Sequence, residues 1–379
     1  MTEKSSICLV PVINRIAGPG SFQLKLRQEL ERRGYTVHHD PADPTTAVIL
    51  IIAGTRSLKE IREAKARGVR VVQRLNGINY VHRRVWTGLR HFIRAERGNL
   101  LLNYTRKHVA DHVIYQSDFT NWWWHEWFGS HKVPSTVIRN GVDTNFYTPD
   151  GPEVPPADHI RLQVVEGHLN VDNGPALENA YRFAKALESE SGSRVELVIA
   201  SDVDAKLRAE VERRVEGVWT TYLGVIPRES VPAYSRAAHM QFSAEINPSC
   251  PNSVVEALAC GLPVVGYDTG SLTELVQGSA GVVVPYGADP WKLQLGDAAA
   301  LAKAVMPVLE DQASYRDAAR QLAEEKFSLP AMTDAYLKVL LPNGWGIYPA
   351  GVPRGRPRGN QWWRRNNPGG RCRRGCGGG

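Results

Sequence analysis

The feature that most constrains this chain is an alternation of short apolar runs with amphipathic helical stretches. The first series of apolar runs is Ile7–Ile13, Val48–Ile52, Val69–Leu75, His112–Gln116 and Pro134–Ile138. Each run is short and nearly continuous, which is typical of parallel strands covered on both faces. Helices are predicted between the runs, including Ser21–Arg33 with Ser21 as its N-cap and a long helical region at Arg84–His108.

A second series follows the segment Asn140–Asp158, which is rich in proline and glycine and is predicted to be an interdomain linker. Its apolar runs are Leu162–Val165, Val195–Ala200, Trp219–Leu223, Met240–Phe242, Val264–Tyr267 and Val282–Val284. The two series predict an α/β protein with two Rossmann-like, doubly wound domains. Such sheets bind ligands outside the carboxyl ends of their strands, so the cleft between the two domains is the expected site.

The predicted domain boundaries are 1–150 for the first domain and 151–328 for the second. A helix within 329–342 is expected to return to the first domain. Residues 343–379 are rich in arginine, glycine and proline and are predicted to be a disordered tail. This tail holds eight arginines and no lysine or acidic residue, so subtracting them from the net charge of +7 leaves −1 for the rest. The excess of positive charge in the chain therefore comes from the tail.

Composition also bounds the cellular setting. The chain has five scattered cysteines, an odd number that does not suit a disulfide framework. No run of about 18 apolar residues appears, and the N-terminus lacks the pattern of a secretory signal. A cytoplasmic protein is expected, with peripheral contact at the inner face of the membrane as an alternative. The oligomeric state stays open.

The most informative stretch is Asn247–Glu274. A loop with two prolines precedes a predicted helix that starts at Asn252 or Ser253 and carries Glu256 near its start. Free N–H groups at a helix start favour an anion, and a carboxylate there can accept hydrogen bonds from two neighbouring hydroxyls. These residues suggest a phosphate-plus-sugar ligand. The alternative is an ordinary helix start with a carboxylate that interacts favourably with the helix dipole.

This stretch resembles the donor-site signature of the retaining glycosyltransferases of family 4. Their pattern E-A-x-A-x-G-x-P-V-V matches residues 256–265 position by position, and the follow-on G-x-x-x-E matches Gly270 and Glu274. A C-P-N loop, as at 250–252, occurs in a subset of the family. The interdomain segment V-I-x-N-G-V-D resembles residues 137–143. The resemblance covers roughly residues 8–285 and implies the GT-B fold, in which the two domains face a central cleft.

The resemblance further implies transfer of a sugar from a nucleoside diphosphate to a hydroxyl, with retained configuration and without a metal or cofactor. The nucleoside-diphosphate sugar is the donor substrate, and the acceptor is a saccharide or a lipid-linked molecule. By position, Glu256 is expected to bind the ribose, while backbone groups at Asn252, Ser253 and Val254 hold sugar or phosphate. The glycine-rich first loop of the family corresponds to Gly18 and Gly20, where backbone can approach the ligand.

The sequence departs from the family pattern where the diphosphate is usually neutralised. The family pattern G-R-x-x-x-x-K-G corresponds to residues 167–174, in which His168 replaces the arginine and Asn173 replaces the lysine. The first acidic residue of the donor motif is replaced by Pro248, and Glu245 serves only if the loop is longer. Arginines on other loops are candidate substitutes, namely Arg15 and Arg74, each of which lies at the end of a predicted first-domain strand.

Three first-domain residues are candidate catalytic groups. Arg74 and Asn76 lie in a segment that resembles the family's R-L-D-G, with Asn76 in place of the aspartate, and His82 follows in a basic stretch. The alternatives are an Asn-Gly turn and a structural histidine. A tryptophan-rich helix at 118–128 is predicted to be core and domain-packing surface, with an acceptor platform or membrane contact as the alternative.

The sequence therefore predicts a nucleotide-sugar-dependent glycosyltransferase. Three alternatives remain: a degenerate, noncatalytic nucleotide-sugar or glycan-binding protein of the same fold, a nucleotide-sugar epimerase, and a nucleic-acid binder acting through the basic tail. The motif Pro353–Arg358 in the tail is too short to favour the last alternative, and no nucleic-acid partner is expected.

Overall fold

The structure is a computed structural model, and it describes residues 6–13, 18–86, 88–170 and 174–342. Asn173, Arg15 and the tail lie outside these residues. Within the described part of the chain, residues 6–137 form a six-stranded parallel sheet flanked by helices. Its strands are β1 Ser6–Val10, β2 Thr36–His38, β3 Thr46–Ile51, β4 Arg70–Leu75, β5 His112–Tyr115 and β6 Ser135–Val137. Its helices are α1 Pro19–Arg32, α2 Leu58–Ala66, α3 Leu89–Tyr104 and α4 Asp118–Phe128.

A second six-stranded parallel sheet is formed by residues 160–284. Its strands are β7 Ile160–Leu169, β8 Val195–Val203, β9 Trp219–Tyr222, β10 Met240–Phe242, β11 Val264–Tyr267 and β12 Gly281–Val284. The helices of this half are α5 Gly174–Ser191, α6 Ala205–Arg214, α7 Val231–Arg236, α8 Asn252–Ala259, α9 Leu272–Leu275, α10 Ala298–Ala304, α11 Met306–Glu310 and α12 Gln312–Lys326. The two doubly wound sheets confirm the predicted fold class.

Strand order places a topological switch point in each sheet. The first sheet runs β2-β1-β3-β4-β5-β6, and the second runs β12-β11-β10-β7-β8-β9. In the second sheet the order reverses between β7 and β10, which are paired through Met240 and Leu162. A crevice opens outside the carboxyl ends of strands at such a point, and both β7 and β10 end there.

The last described helix, α13 Leu329–Leu340, packs on the first sheet. Met332 and Tyr336 belong to the same buried cluster as Ile7 and Phe22. The ring centroids of Phe22 and Tyr336 are 5.3 Å apart. The chain therefore crosses from the second half back to the first after α12.

Three local predictions differ from the structure. Helix α1 begins at Pro19 with Gly18 as its N-cap, so Ser21 is not the cap; proline at the first helical position has its φ preset for the helix. The region Arg84–His108, predicted as one long helix, becomes helical only at Leu89, where α3 begins, and α3 continues into a π-helical turn at Thr105–Val109. The edge strand β2 was not predicted, because it has only three residues, of which one is apolar, so it shows no apolar pattern.

A fourth difference concerns the segment expected to form the diphosphate loop. Strand β7 continues to Leu169, past the predicted end at Val165, with a shift of register against β8 between Val165 and His168. Gly167 and His168 are therefore strand residues. Polar and glycine residues after Val165 hid this extension, since they break the apolar run that marks a buried strand.

Candidate functional site

A cleft of about 1060 Å³ lies between the two halves and is the candidate site. Eight of the residues predicted to act in catalysis or ligand binding line it, four from each half. Those of the first half are Gly18, Arg74, Asn76 and His82, and those of the second include His168, Asn252, Ser253 and Glu256. Gly20 and Val254 are buried within α1 and α8. The cleft thus brings together sequence positions more than 200 residues apart.

Helix α8 points its first turn at the cleft. The residue before it, Pro251, is in an extended conformation and no side chain caps the helix start. Asn252 and Ser253 line the cleft, so the polar start of the helix borders open space. An uncapped helix start is suited to bind an anion.

Glu256 is held by a cation from the opposite half. Lys25, which is buried in α1, places its Nζ 3.3 Å from Glu256 Oε1 and 3.3 Å from Asn252 Oδ1. Burial lowers the pKa of Lys25, and the Glu256 carboxylate opposes that effect. Oε2 of Glu256 has no hydrogen-bond partner among the described residues, and Glu256 lines the cleft.

Arg228 is a second cation next to this pair. It lies between β9 and α7, lines the cleft, and donates from Nε to the hydroxyl of Tyr147 at 3.2 Å. Among the described residues, its two terminal nitrogens have no hydrogen-bond partner. Burial raises the pKa of Tyr147, so this residue stays a neutral support for the guanidinium. Lys25 and Glu256 offset each other in their ion pair, so Arg228 is the cation that faces the cleft on this side.

Arg74 is a scaffold residue of the cleft floor in this structure. Its Nη1 donates to Asn76 Oδ1 at 2.7 Å, and its Nη2 donates to Gln116 and Asn140 at 2.6 and 2.9 Å. The guanidinium also lies 3.7 Å from the ring centroid of Phe22. These contacts tie the ends of β4 and β5 to the segment that joins the two halves, so little of Arg74 is left to meet a ligand.

His82 lies in the cleft wall and is oriented by a carboxylate. Its Nε2 is 2.8 Å from Glu96 Oε1, and the side chain is only 1% exposed. A hydrogen bond from Arg83, reinforced by His82, lowers the pKa of Glu96 to about 2. A histidine fixed by an ionised carboxylate can act as a general base or simply be structural.

Two carboxylates flank the switch point of the second sheet. Glu166 in β7 and Glu245 after β10 both line the cleft. Restricted hydration and the neighbouring Glu245 raise the pKa of Glu166, and restricted hydration also raises that of Glu245. His168, at the far end of β7, is 3.0 Å from Asp202 through Nδ1. The position of the usual arginine is therefore occupied by a histidine that faces a carboxylate.

The two halves are joined at the cleft edge by contacts that the sequence did not reveal. Glu274, which belongs to the recognised motif, accepts from the backbone N–H groups of Asp118 and Phe119 at 2.9 and 2.7 Å, so it caps α4 of the first half. Arg139 donates to Glu274 at 2.8 Å. Trp291 of the second half packs on the tryptophan-rich helix, with its centroid 5.0 Å from that of Trp123.

The important residues missed by the sequence analysis are Lys25 and Arg228. Lys25 follows Leu24 in an amphipathic helix, where a lysine usually faces solvent, and only the approach of α8 buries it. Arg228 lies in a polar turn without periodicity. The signal that points to them is indirect: a predicted anion site without its usual cations needs cations from elsewhere.

Residues 171–311 match the family model described as glycosyl transferases group 1. O-antigen chain mannosyltransferase B of Escherichia coli is 35% identical over 118 residues, which are 31% of this chain and 28% of the relative. The 2-deoxystreptamine glucosyltransferase of Streptomyces kanamyceticus is 29% identical over 193 residues, which are 47% of this chain and 46% of the relative. The chain thus matches less than half the length of each of these curated relatives.

Solved structures match nearly the whole fold. Sucrose-phosphate synthase from Thermosynechococcus elongatus has a TM-score of 0.65 at 16% identity, with 89% of this chain and 98% of that chain covered. HepE of Anabaena, solved in complex with UDP-glucose, has a TM-score of 0.62 at 16% identity, with 88% and 99% covered. These matches confirm the GT-B fold predicted from the sequence.

Proposed function

We propose that this protein is a glycosyltransferase that moves a sugar from a nucleoside-diphosphate donor to a hydroxyl of an acceptor. The observation that carries the proposal is the uncapped start of α8, with Glu256 beside it, facing a cleft between two Rossmann-like halves. An anion-binding helix start and a carboxylate for neighbouring hydroxyls are the groups that a nucleoside diphosphate needs. The match of residues 171–311 to glycosyl transferases group 1 supports the same activity.

Glu256 is the proposed ribose-binding residue. Lys25 engages Oε1, which leaves Oε2 to accept from the ribose hydroxyls. A carboxylate accepts such bonds more strongly than a neutral group. Backbone N–H groups at the start of α8 would then lie near the phosphates or the donor sugar.

Arg228 is the proposed cation for the leaving diphosphate. Negative charge grows on the diphosphate as the bond to the sugar breaks, and fixed cations in a cleft stabilise that charge. The usual arginine and lysine are replaced by His168 and Asn173. Arg228 has free donors at the cleft surface and is half-buried, so its charge is less screened than on an open surface.

The proposed donor is a uridine diphosphate sugar, since several proteins of this fold have been solved with UDP. Retention of configuration, independence of metal and a saccharide or lipid-linked acceptor are parts of the proposal that rest on the resemblance to family 4. We also propose a cytoplasmic location. Within the described residues, no helix is long and apolar enough to cross a bilayer.

A noncatalytic nucleotide-sugar-binding protein is the second candidate function. It is favoured by Pro248 in place of the motif's first carboxylate and by the engagement of His168 with Asp202. In that case the cleft would bind the donor without turnover. Incubation with UDP-sugars and a panel of acceptors, followed by UDP release, separates the two functions.

The diphosphate assignment is tested by comparing UDP with UMP in calorimetric titrations, with and without EDTA. Arg228→Gln should weaken UDP binding about 10- to 100-fold, from a charge-assisted bond of about 1.5–3 kcal/mol, and should weaken UMP binding much less. Arg213→Gln, an exposed arginine on α6, is the matched control and should bind both ligands like the native chain. Equal weakening of UDP and UMP would remove Arg228 from the diphosphate site.

A further inference from the structure

Helix α3 presents an apolar stripe to solvent. Leu89, Ile93 and Leu100 are 62, 47 and 58% exposed, and Tyr104 is 38% exposed. At 100° per residue their side chains lie within an arc of about 60°. Trp86, just before the helix, is 74% exposed. Exposed apolar side chains aligned in this way mark a surface that is covered by a partner.

Arginines flank the stripe along its length. Arg90, Arg94 and Arg97 are exposed and, among the described residues, form no ion pair or hydrogen bond. On the helix they project next to the apolar arc, between about 80° and 140° from Leu89. The acidic residue of α3, Glu96, is already engaged by His82 and Arg83. The face formed by these residues, the α3 face, is therefore both apolar and strongly basic.

The α3 face adjoins the mouth of the cleft. His91, in the first turn of α3, lines the cleft together with His82. A shallow cavity of about 540 Å³ opens on the same turn and is lined by Leu89, Arg90, His91 and Arg94. Two arginines beside the apolar side chain of Leu89 suit a phosphate attached to an acyl chain.

We propose that α3 docks the protein on an anionic lipid bilayer. The helix would lie parallel to the surface, with the apolar stripe among the acyl chains and the arginines at the headgroup phosphates. Arginine side chains can bury their stems while their guanidinium groups stay in the polar layer, and tryptophan favours the interface. A second copy of this chain fits the α3 face poorly, because a symmetric contact would bring the like-charged arginines of both copies together.

Docking has a consequence for the reaction, and this consequence rests on the proposed function. With α3 on the bilayer, the cleft mouth at His91 would face the headgroup layer. A lipid-linked acceptor would then reach the cleft without leaving the membrane. The binding step itself involves no nucleotide, so it is tested without donor or acceptor.

The test is flotation of the full-length chain with vesicles of phosphatidylcholine alone or with about 30% phosphatidylglycerol. The native chain should bind the anionic vesicles, and the binding should fall with added salt. The double variant Leu89→Glu/Ile93→Glu should bind at least tenfold more weakly. Val154→Glu, at a 74% exposed position in the linker, is the matched control and should bind like the native chain.

All variants keep the arginine-rich tail, so a difference between them reports on α3. Circular dichroism and melting temperature should be unchanged, because the replaced side chains are exposed. Equal vesicle binding by the native chain and the double variant would overturn the proposal. So would absence of binding to the anionic vesicles, or sedimentation showing a native dimer that Ile93→Glu dissociates, since α3 would then be a contact between copies.

Discussion

Replacing Glu274 by glutamine should loosen the joint between the two halves. Glu274 accepts two backbone N–H groups at the start of α4 and one donor from Arg139. Glutamine has one acceptor oxygen, so at least one of these donors loses its partner and Arg139 loses its ionic contact with residue 274. Hydrogen bonds to charged groups contribute about 1.5–3 kcal/mol each. Arg139 keeps Asp118, so the expected total loss is about 2–3 kcal/mol.

The measurement is differential scanning calorimetry of the native chain and two variants. For a domain of about 150–250 residues, 1 kcal/mol corresponds to roughly 2–4 °C, so Glu274→Gln should lower the melting temperature by about 4–12 °C. Glu31→Gln is the matched control, since its partner Arg27 lies one turn away on the exposed surface of α1. Exposed pairs of this kind contribute about 0.3–0.5 kcal/mol. A shift for Glu274→Gln no larger than the control's would refute the capping role.

Three further perturbations test other parts of the structure. Trp291→Ala should lower the melting temperature and raise the radius of gyration in small-angle scattering, because its ring packs on aromatic rings of the other half; an unchanged radius would contradict its role in closing the cleft. The raised pKa of Glu166 means that the folded state binds its proton more tightly than the unfolded state. The free energy of unfolding should therefore fall as pH rises from about 5 through the raised pKa. In urea titrations at a series of pH values, Glu166→Gln should flatten this decline. The same decline in the native chain and the variant would contradict the role of Glu166. Gly281→Ala should lower the free energy of unfolding by about 2 kcal/mol or more, since a Cβ there would lie 1.8 Å from a backbone oxygen. Gly98→Ala, in open space on α3, should raise it by about 0.5–1 kcal/mol. Similar melting temperatures for the two variants would contradict this difference.

The sheet architecture could be predicted from the sequence because its strands are buried on both faces. Such strands, for example β3 and β11, appear in the sequence as nearly continuous apolar runs, which can be recognised from local sequence alone. The extension of β7 could not be detected in this way. Its last residues are partly exposed to the cleft and include Glu166, Gly167 and His168, which carry no strand periodicity.

The candidate site was predicted in part for a related reason. The start of α8 and Glu256 belong to one continuous motif, so sequence places them together. Lys25 reaches Glu256 from a position 231 residues away, and such a contact depends on how the two halves pack. The same limit applies to Glu274: its motif is recognisable, but its hydrogen bonds to the first N–H groups of α4 follow only from tertiary structure.

The nucleotide site is tested most directly by calorimetric titration of the full-length chain with UDP, first native and then as Glu256→Ala. We expect saturable binding by the native chain and at least tenfold weaker binding by the variant, because the carboxylate that accepts the ribose hydroxyls is lost. The variant should also keep its circular dichroism spectrum. Undiminished UDP binding by a folded Glu256→Ala chain would contradict the account, and binding of no nucleoside diphosphate by the native chain would contradict the proposed activity itself.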